Sequence, residues 1–391
     1  MSEPRALMLS PELPYPLQGG GALRTASLLN YLARHHTVDL ILFRHLDSQQ
    51  PAESLPPHLA DRVLILELPR HSRTRLRRAL RNTSRLVRGV PPLLDRFQGF
   101  AAPISQFIAN HRYRVAVIEH FWCAPYQQTL RPHADSLVLD LHNIESKLHW
   151  TEANSAATLP ERLAHRHFAQ LYRKLEANWI PSYDEVLTAS ALDCSRIHPL
   201  AKSATVFPNS VPWRKLPDVP EEEAIAFSGN FDYHPNQTAV AWFAQHAWPK
   251  LAAAHPNLKW RLIGMNPESI HRTVAHLPRV ELTGPVSDAV DELARAKVVV
   301  VPLLSGSGTR LKIVEAWAAG RAVIATPLGA EGFPTDSLLV APLDRFTQAV
   351  EDVLTDPTLR AHLATKGRTC YEQSLTWDAA WNTLSHSRVT P

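Results

Sequence analysis

The chain has few cysteines and no long hydrophobic run. Its three cysteines, Cys123, Cys194 and Cys370, are scattered along 391 residues and form no Cys-x-x-Cys pair. This pattern argues against a disulfide framework or a cysteine-based zinc site, and it favours a reducing compartment, by default the cytoplasm. No stretch approaches the ~18 apolar residues of a membrane-spanning helix, and runs such as 298–304 have the length of buried strands. The first residues include an acid and only a short apolar run, so we expect no signal peptide.

Several nucleotide-binding and metal-binding motifs are also missing. The sequence contains no GxGxxG, no GxxxxGK[ST], no HExxH and no Asp-x-Asp. Their absence argues against a dinucleotide fingerprint, a P-loop and a zinc hydrolase. His165 and His167 are two positions apart in a helical pattern and therefore point to different sides. We accordingly predict no metal site.

Acidic residues are absent from one strongly basic segment. Eight arginines lie within 70–88, although the formal net charge of the whole chain is only +4. Read as a helix, this segment has one stripe formed by Leu76, Leu80, Thr83 and Val87, with the arginines around it. Such a basic amphipathic helix can lie on an anionic membrane surface, and the alternative is the solvated face of a core helix. The lack of interleaved aromatic residues argues against nucleic acid.

Short apolar runs alternate with longer helical patterns along the whole chain. This alternation is typical of βαβ units, so we predict an α/β fold with two doubly wound, Rossmann-like parallel sheets. In the first half, the predicted strands are Ala6–Leu9, Val38–Phe43, Val63–Leu66, Val115–Ile118, Leu137–Leu141 and Glu185–Thr188. In the second half, they are Ala224–Phe227, Trp260–Ile263, Val280–Leu282, Val298–Pro302, Ala322–Ala325 and Leu338–Val340.

Proline spacing suggests where the two halves meet. The segment 207–223 contains four prolines and is predicted to be a stiff linker. We therefore expect an N-terminal domain at 1–206, a C-terminal domain at 224–375 and a final helix at 376–391 that packs back on the domains. Two doubly wound domains would face each other across a cleft, with functional residues at the carboxyl ends of strands.

Small and titratable residues follow the strands of the first half. Gly19, Gly20 and Gly21 come after the first strand and directly before a helical pattern, where backbone N–H groups can approach an anion. His120 follows the fourth strand and His142 follows the fifth. Histidines at adjacent strand ends can hydrogen-bond sugar or phosphate oxygens and exchange protons near neutrality.

The second half repeats the pattern of a strand followed by glycine. Gly229 and Asn230 follow its first strand, Gly264 the second and Gly284 the third. Three such turns suit a nucleotide that lies along the edge of a sheet.

The stretch 303–332 carries the densest set of polar residues. Its segment Ser305–Thr309, with Ser307, Gly308 and Thr309, can form an anion-binding nest at the start of a helix. Arg310 and Lys312 add positive charge there, and Glu315 can accept hydrogen bonds from the two hydroxyls of a ribose.

In their order, these segments resemble the retaining glycosyltransferases of family 4, which have the GT-B fold. The resemblance covers nearly the whole chain. The segments that carry it are "PYPLQGGGALR", "IEHFWCAPY", "DLHNIES", "FPNSV", "FSGNFDYHPN", "IGMNP", "LTGPV" and "PLLSGSGTRLKIVEAWAAGRAVIATPLGAEG". It implies metal-independent transfer of a sugar from a nucleoside diphosphate sugar, held mainly by the second domain, with no cofactor beyond that co-substrate.

The resemblance also implies roles for individual residues. Gly19 to Gly21 would contact donor phosphate, His120 would lie near the transferred sugar, Val286 near the base and Glu315 at the ribose. Ser307 stands where many members have the first of two glutamates, and "NFDYHPN" stands where many have an arginine and a lysine. We therefore expect Arg310 and Lys312 to supply the missing charge, as candidate catalytic residues beside His120.

The expected function is hexosyl transfer from a UDP- or GDP-sugar to a glycan or lipid-linked acceptor, with retention, in synthesis of cell-surface polysaccharide or glycoconjugates. We expect it in the cytoplasm, with peripheral contact at the inner face of the membrane through 70–88. Two alternatives stay open: a nucleotide-sugar epimerase of the same fold, and a non-catalytic subunit that binds a sugar nucleotide.

Overall fold

The chain forms two compact units. A computed structural model describes residues 4–17, 19–45, 54–69, 81, 84–85, 88–156, 158–286, 288–306 and 310–390. Unit 1 comprises Met1–Pro208 and Trp381–Pro391, and unit 2 comprises Asn209–Ala380. Most of the basic segment 70–88 lies outside the described residues, as do Ser307, Gly308 and Thr309.

Unit 1 contains a parallel sheet of seven strands in the order β3-β2-β1-β4-β5-β6-β7. The strands are β1 (Arg5–Ser10), β2 (Thr37–His45), β3 (Arg62–Leu68), β4 (Tyr113–Glu119), β5 (Ala134–Leu141), β6 (Glu185–Thr188) and β7 (Ala204–Val206). The described helices are α1 (Gly20–His35), α2 (Pro92–Phe97), α3 (Ala101–Ile108), α4 (Gln127–Leu130), α5 (Glu145–Ser155), α6 (Leu159–Trp179) and α7 (Ala191–Ile197). A 3₁₀ segment, Phe121–Tyr126, follows β4.

Unit 2 contains a parallel sheet of six strands in the order β10-β9-β8-β11-β12-β13. The strands are β8 (Ala224–Ser228), β9 (Lys259–Ile263), β10 (Val280–Gly284), β11 (Val298–Val301), β12 (Ala322–Ala325) and β13 (Leu339–Val340). The helices are α8 (His234–His246), α9 (Trp248–Ala254), α10 (Glu268–Val274), α11 (Ala289–Ala294), α12 (Leu311–Ala318), α13 (Leu343–Thr355), α14 (Pro357–Cys370) and α15 (Trp377–Asn382), the last of which crosses into unit 1.

Continuous apolar runs place the central strands inside each unit. In β1 every residue from Ala6 to Ser10 is buried, and in β11 all four valines are fully buried. A strand buried on both faces needs such a run because helices cover both sides of a parallel sheet. The predicted class, two Rossmann-like parallel α/β domains, is therefore confirmed.

Two segments near the division between the units have defined contacts. Most of the proline-rich segment predicted as a linker belongs to unit 2, where Val211 pairs with Thr376 and the Tyr371 hydroxyl donates to the Pro212 carbonyl over 2.8 Å. In unit 1, Trp381 Nε1 donates to the Ser27 carbonyl over 3.1 Å. Among the described residues, no helix is both long enough and apolar enough to cross a membrane.

Candidate active site

Unit 1 places a carboxylate at the start of α1. Gly19, with φ at 90°, precedes the helix, and Gly20 and Gly21 form its first turn. A Cβ on Gly21 would lie 1.4 Å from Glu12 Oε2, so the Glu12 carboxylate occupies the space over this backbone. The positive end of a helix favours a negative charge. A donor phosphate predicted at Gly19–Gly21 would therefore have to displace this carboxylate.

His120 follows β4 with an unusual backbone conformation. Its φ is 60°, which is costly for a residue with a side chain and is found preferentially at functional sites. The ring is 4% exposed and is stacked on Trp122, with 4.3 Å between the ring centroids. Its Nε2 lies 3.4 Å from Glu12 Oε1, and its centroid lies 3.6 Å from that of His142. The structure thus brings the two predicted histidines together and adds Glu12, which the sequence patterns did not single out.

The two histidines have opposite pKa shifts. Burial and the neighbouring His142 lower the pKa of His120. Burial also lowers the pKa of His142, but the adjacent carboxylates of Asp140 and Glu119 outweigh it and raise that pKa to about 9. His142 Nε2 lies 3.4 Å from Asp140 Oδ2 and 3.5 Å from Glu119 Oε1. At neutral pH we therefore expect a charged His142 and a neutral His120 that can hydrogen-bond a sugar hydroxyl.

A buried arginine neutralises the Asp140 carboxylate beside His142. Arg24, on α1, holds both oxygens of Asp140 and also donates to the Phe207 carbonyl. Two parallel N–H···O bonds to a carboxylate are strong and orient both groups. The ion pair therefore anchors β5 to α1 beneath the two histidines.

A second pair of buried carboxyl groups lies near the start of α5. Burial and the nearby Glu176 raise the pKa of Glu145 to about 8. Glu176, on α6, accepts hydrogen bonds from the Ser146 backbone N–H over 2.9 Å and from its hydroxyl over 2.5 Å. Glu176 was missed by the sequence analysis because it lies in the last turn of a long helix, far along the chain from the carboxyl end of β5.

In unit 2, two glycines let neighbouring strand ends approach closely. Gly229 follows β8 with φ at 155°, and Gly264 follows β9 with φ at 140°. A Cβ on Gly264 would lie 2.0 Å from the Gly229 carbonyl oxygen, so only glycine fits there. The N–H of Gly229 donates to Ile263 and that of Gly264 to Gly284. Both glycines therefore allow the close approach of backbone rather than offering their own donors.

Asparagine side chains hold these turns in place. The Asn230 side-chain oxygen accepts from the Asp232 backbone N–H over 2.9 Å and from Asn266 Nδ2 over 2.8 Å. The Asn230 carbonyl accepts from Asn236 Nδ2 over 2.7 Å. The turn after β8 is thereby tied both to α8 and to the turn after β9.

Lys312 reaches this turn from α12. Its Nζ donates to Asn236 Oδ1 over 2.6 Å and lies 4.0 Å from the centroid of the Phe227 ring. A Cβ on Gly229 would lie 3.2 Å from the same Nζ. Burial of the ammonium group, with a further contribution from Arg310, lowers the pKa of Lys312 to about 7.

Glu315 lies one turn after Lys312 on α12. Burial raises its pKa to about 7, although Lys312 acts in the opposite direction. Residues three apart on a helix share a face, so the ammonium and carboxylate groups belong to one site. The structure thus groups Gly229, Asn230, Gly264, Lys312 and Glu315 at the carboxyl edge of the sheet of unit 2.

The remaining predicted residues of unit 2 have other surroundings. Arg310 is buried, and its Nη2 donates to the carbonyls of Gly306 over 3.2 Å and Leu328 over 3.4 Å. Its guanidinium therefore helps to hold the loop before α12. Val286 is half-buried between β10 and α11.

Comparisons with known proteins show similarity to glycosyltransferases. Residues 222–356 match the family model described as glycosyl transferases group 1, and this segment contains Gly229, Lys312 and Glu315. Over 179 residues the chain is 30% identical to the phosphatidyl-myo-inositol mannosyltransferase of Mycolicibacterium smegmatis. That match covers 41% of this chain and 46% of the relative, so it spans about half the length of the curated protein.

Two solved structures are similar to the chain over almost its whole length. The sucrose-phosphate synthase of Thermosynechococcus elongatus has 16% identity, a TM-score of 0.73 and 98% coverage of both chains. WaaG, a glycosyltransferase involved in lipopolysaccharide biosynthesis, has 14% identity, a TM-score of 0.63 and coverage of 97% of this chain and 100% of its own. The fold of this chain is therefore the GT-B fold, as predicted.

Proposed function

We propose that this protein is a glycosyltransferase that moves a hexose from a UDP- or GDP-sugar to a glycan or lipid-linked acceptor. The observation that carries the proposal is the Lys312–Glu315 pair on α12, in which the Lys312 ammonium lies beside Gly229 in the turn after β8. This pair lies within the segment that matches glycosyl transferases group 1. A sugar nucleotide presents a diphosphate and a ribose diol, and the pair offers one cation and one carboxylate.

Each group of the pair suits one part of such a donor. The ammonium of Lys312 can stabilise the charge that develops on the diphosphate as the sugar leaves. Glu315, when ionised, can accept hydrogen bonds from both ribose hydroxyls. Arg310 supports the loop before α12 through the Gly306 and Leu328 carbonyls and adds positive charge near Lys312. Ser307, Gly308 and Thr309 complete the donor-binding loop in this proposal.

In unit 1, we assign the binding of the transferred sugar to His120. The ring is held by Trp122 and by its contact with His142, and its lowered pKa keeps it neutral. A neutral imidazole can accept a hydrogen bond from one hydroxyl and donate one to another. No described residue has to attack the sugar, because retention by front-face attack uses the acceptor hydroxyl as the nucleophile.

The acceptor class rests on the names of similar proteins and on one sequence segment. The curated relative acts on phosphatidyl-myo-inositol, and WaaG is involved in lipopolysaccharide biosynthesis. The arginines of 70–88 suit a peripheral contact with an anionic membrane that carries such an acceptor. Binding to anionic vesicles at low salt supports this contact, and absence of binding contradicts it.

A nucleotide-sugar screen tests the donor site. A ligand that binds only the folded protein increases the free energy of unfolding, by about 2.7 kcal/mol at a ligand concentration of 100 times its Kd. The melting temperature rises as a result. We expect one or two UDP- or GDP-hexoses to raise the Tm of the wild-type protein and to have a much smaller effect on Glu315→Gln. The matched control is Glu351→Gln, because Glu351 is a half-buried carboxylate of the same unit that pairs with His255 over 2.8 Å.

The control variant should respond like the wild type. The proposed donor site is wrong if no sugar nucleotide stabilises the protein, or if Glu315→Gln responds as strongly as Glu351→Gln.

A further inference from the structure

Two histidines and one glutamate converge between α5 and α6, outside the clusters described above. His149 and Glu152 are three residues apart on α5 and therefore lie on one face of that helix. His165 comes from α6. The side chains are 18%, 14% and 31% exposed in chain order, so the site is half-buried and open to ions from solution.

The distances between the three side chains fit one tetrahedral ion. His149 Nδ1 lies 3.0 Å from His165 Nδ1. Glu152 Oε2 lies 3.1 Å from His165 Nδ1 and 3.7 Å from His149 Nδ1. In a tetrahedral zinc site with bonds of about 2.0–2.1 Å, neighbouring ligand atoms lie about 3.3 Å apart. The three measured separations bracket that value.

The chemistry of the three atoms also favours a cation. Each neutral imidazole can present a lone pair at Nδ1, and an ionised carboxylate presents only acceptors. One proton can bridge two of these atoms, but it cannot satisfy all three. A divalent ion can accept electron pairs from all of them, and two imidazoles with one carboxylate form a recognised zinc donor set.

A second group of potential ligands, Glu119, Asp140 and His142, lies in unit 1. There the guanidinium of Arg24 already holds both oxygens of Asp140. Its charge disfavours a cation at the same carboxylate.

We propose that His149, Glu152 and His165 bind a divalent transition-metal ion, most favourably Zn²⁺, with water completing the coordination. The ion links α5 to α6. Since α5 begins at Glu145, three residues after His142, the metal fixes the helix that follows the candidate site of unit 1. The sequence analysis predicted no metal site because it searched for ligands close together in sequence, whereas His149 and His165 are 16 positions apart.

Cobalt and zinc binding to the untagged full-length protein test this site. After removal of metal with a chelator, we expect one equivalent of Co²⁺ to give the visible absorption of four-coordinate cobalt, and Zn²⁺ to abolish it. Loss of a residue that hydrogen-bonds a metal ligand costs roughly 10–100-fold in metal affinity. His165→Gln removes a ligand itself, so it should lower the affinity for the metal by more than that. Glu152→Gln should weaken binding in the same direction.

The matched control is His167→Gln, because His167 is exposed on the same helix and is not part of the cluster. It should retain both the cobalt spectrum and the rise in Tm that Zn²⁺ gives the wild-type protein. The proposal is overturned if the wild-type protein shows no stoichiometric binding, or if His165→Gln binds as tightly as His167→Gln.

Discussion

Lys312 and Glu315 share one face of α12, and the protein moves both pKa values towards neutrality. Burial lowers the pKa of Lys312 to about 7 and raises that of Glu315 to about 7. Each group partly offsets the effect of burial on the other, because opposite charges favour each other's ionised form. A binding diphosphate would add negative charge beside Lys312 and would stabilise its protonated form. At the scale of single residues, this pair is where we expect donor recognition to depend most steeply on pH.

The pH dependence of kcat/KM tests the pair because this parameter reports the free enzyme. Deprotonation of Lys312 should lower kcat/KM as the pH rises above about 7, and protonation of Glu315 should lower it as the pH falls below about 7. The profile should therefore be bell-shaped. Lys312→Arg, which stays charged, should lose the alkaline limb, and Glu315→Gln should lose the acid limb together with roughly 2–4 kcal/mol of transition-state stabilisation. If the acid and alkaline limbs of the kcat/KM profile stay unchanged in both variants, groups other than Lys312 and Glu315 set the pH dependence.

At the scale of elements, Gly264 directly after β9 and Gly284 at the end of β10 form a matched pair of glycines. Gly264 approaches the Gly229 carbonyl too closely for a Cβ, whereas a Cβ on Gly284 would meet no atom within 4 Å. Both have positive φ, 140° and 69°, so alanine costs of order 1 kcal/mol or more in backbone strain at either position. Gly264→Ala must also displace the end of β8.

We therefore expect Gly264→Ala to lower the free energy of unfolding by about 2 kcal/mol more than Gly284→Ala does. Urea denaturation of the two variants measures this difference. Equal destabilisation would mean that the turn after β8 adapts without cost, and that its close approach to β9 is not required.

The strands and their ends could be predicted from the sequence, because buried parallel strands appear as short apolar runs. Every predicted strand is present, and Glu185–Thr188 and Ala322–Ala325 have the predicted bounds. The strand β7 was missed because three half-buried residues give too short a pattern.

The partners of the candidate residues could not be predicted in the same way. Glu12 reaches His120 across more than a hundred residues, and Asn236 reaches Lys312 from another helix. Such contacts depend on strand order, which places β1 beside β4 and β8 beside β11. The sequence therefore predicted which strand ends carry polar residues but not which groups set their pKa values.

At the scale of the whole molecule, the segment that matches a known family and the buried histidine pair lie in different units. The family match covers 222–356, within unit 2, where the Lys312–Glu315 pair lies. Unit 1 carries the buried histidine pair and is outside that match. The proposed donor site therefore lies within the segment that matches glycosyl transferases group 1, and the histidine proposed to bind the transferred sugar lies outside it.

Product analysis with the purified full-length protein tests the central claim most directly. The donor that stabilises the protein is supplied with its hexose labelled, with and without a lipid-linked glycan extract. Our account predicts label in the lipid or glycan fraction, with one nucleoside diphosphate released per sugar transferred, and a strong loss of both in Lys312→Ala. Conversion of the donor to an isomeric sugar without any acceptor would instead indicate an epimerase. Binding of the donor with neither transfer nor hydrolysis would indicate a non-catalytic subunit, and either result would contradict the account.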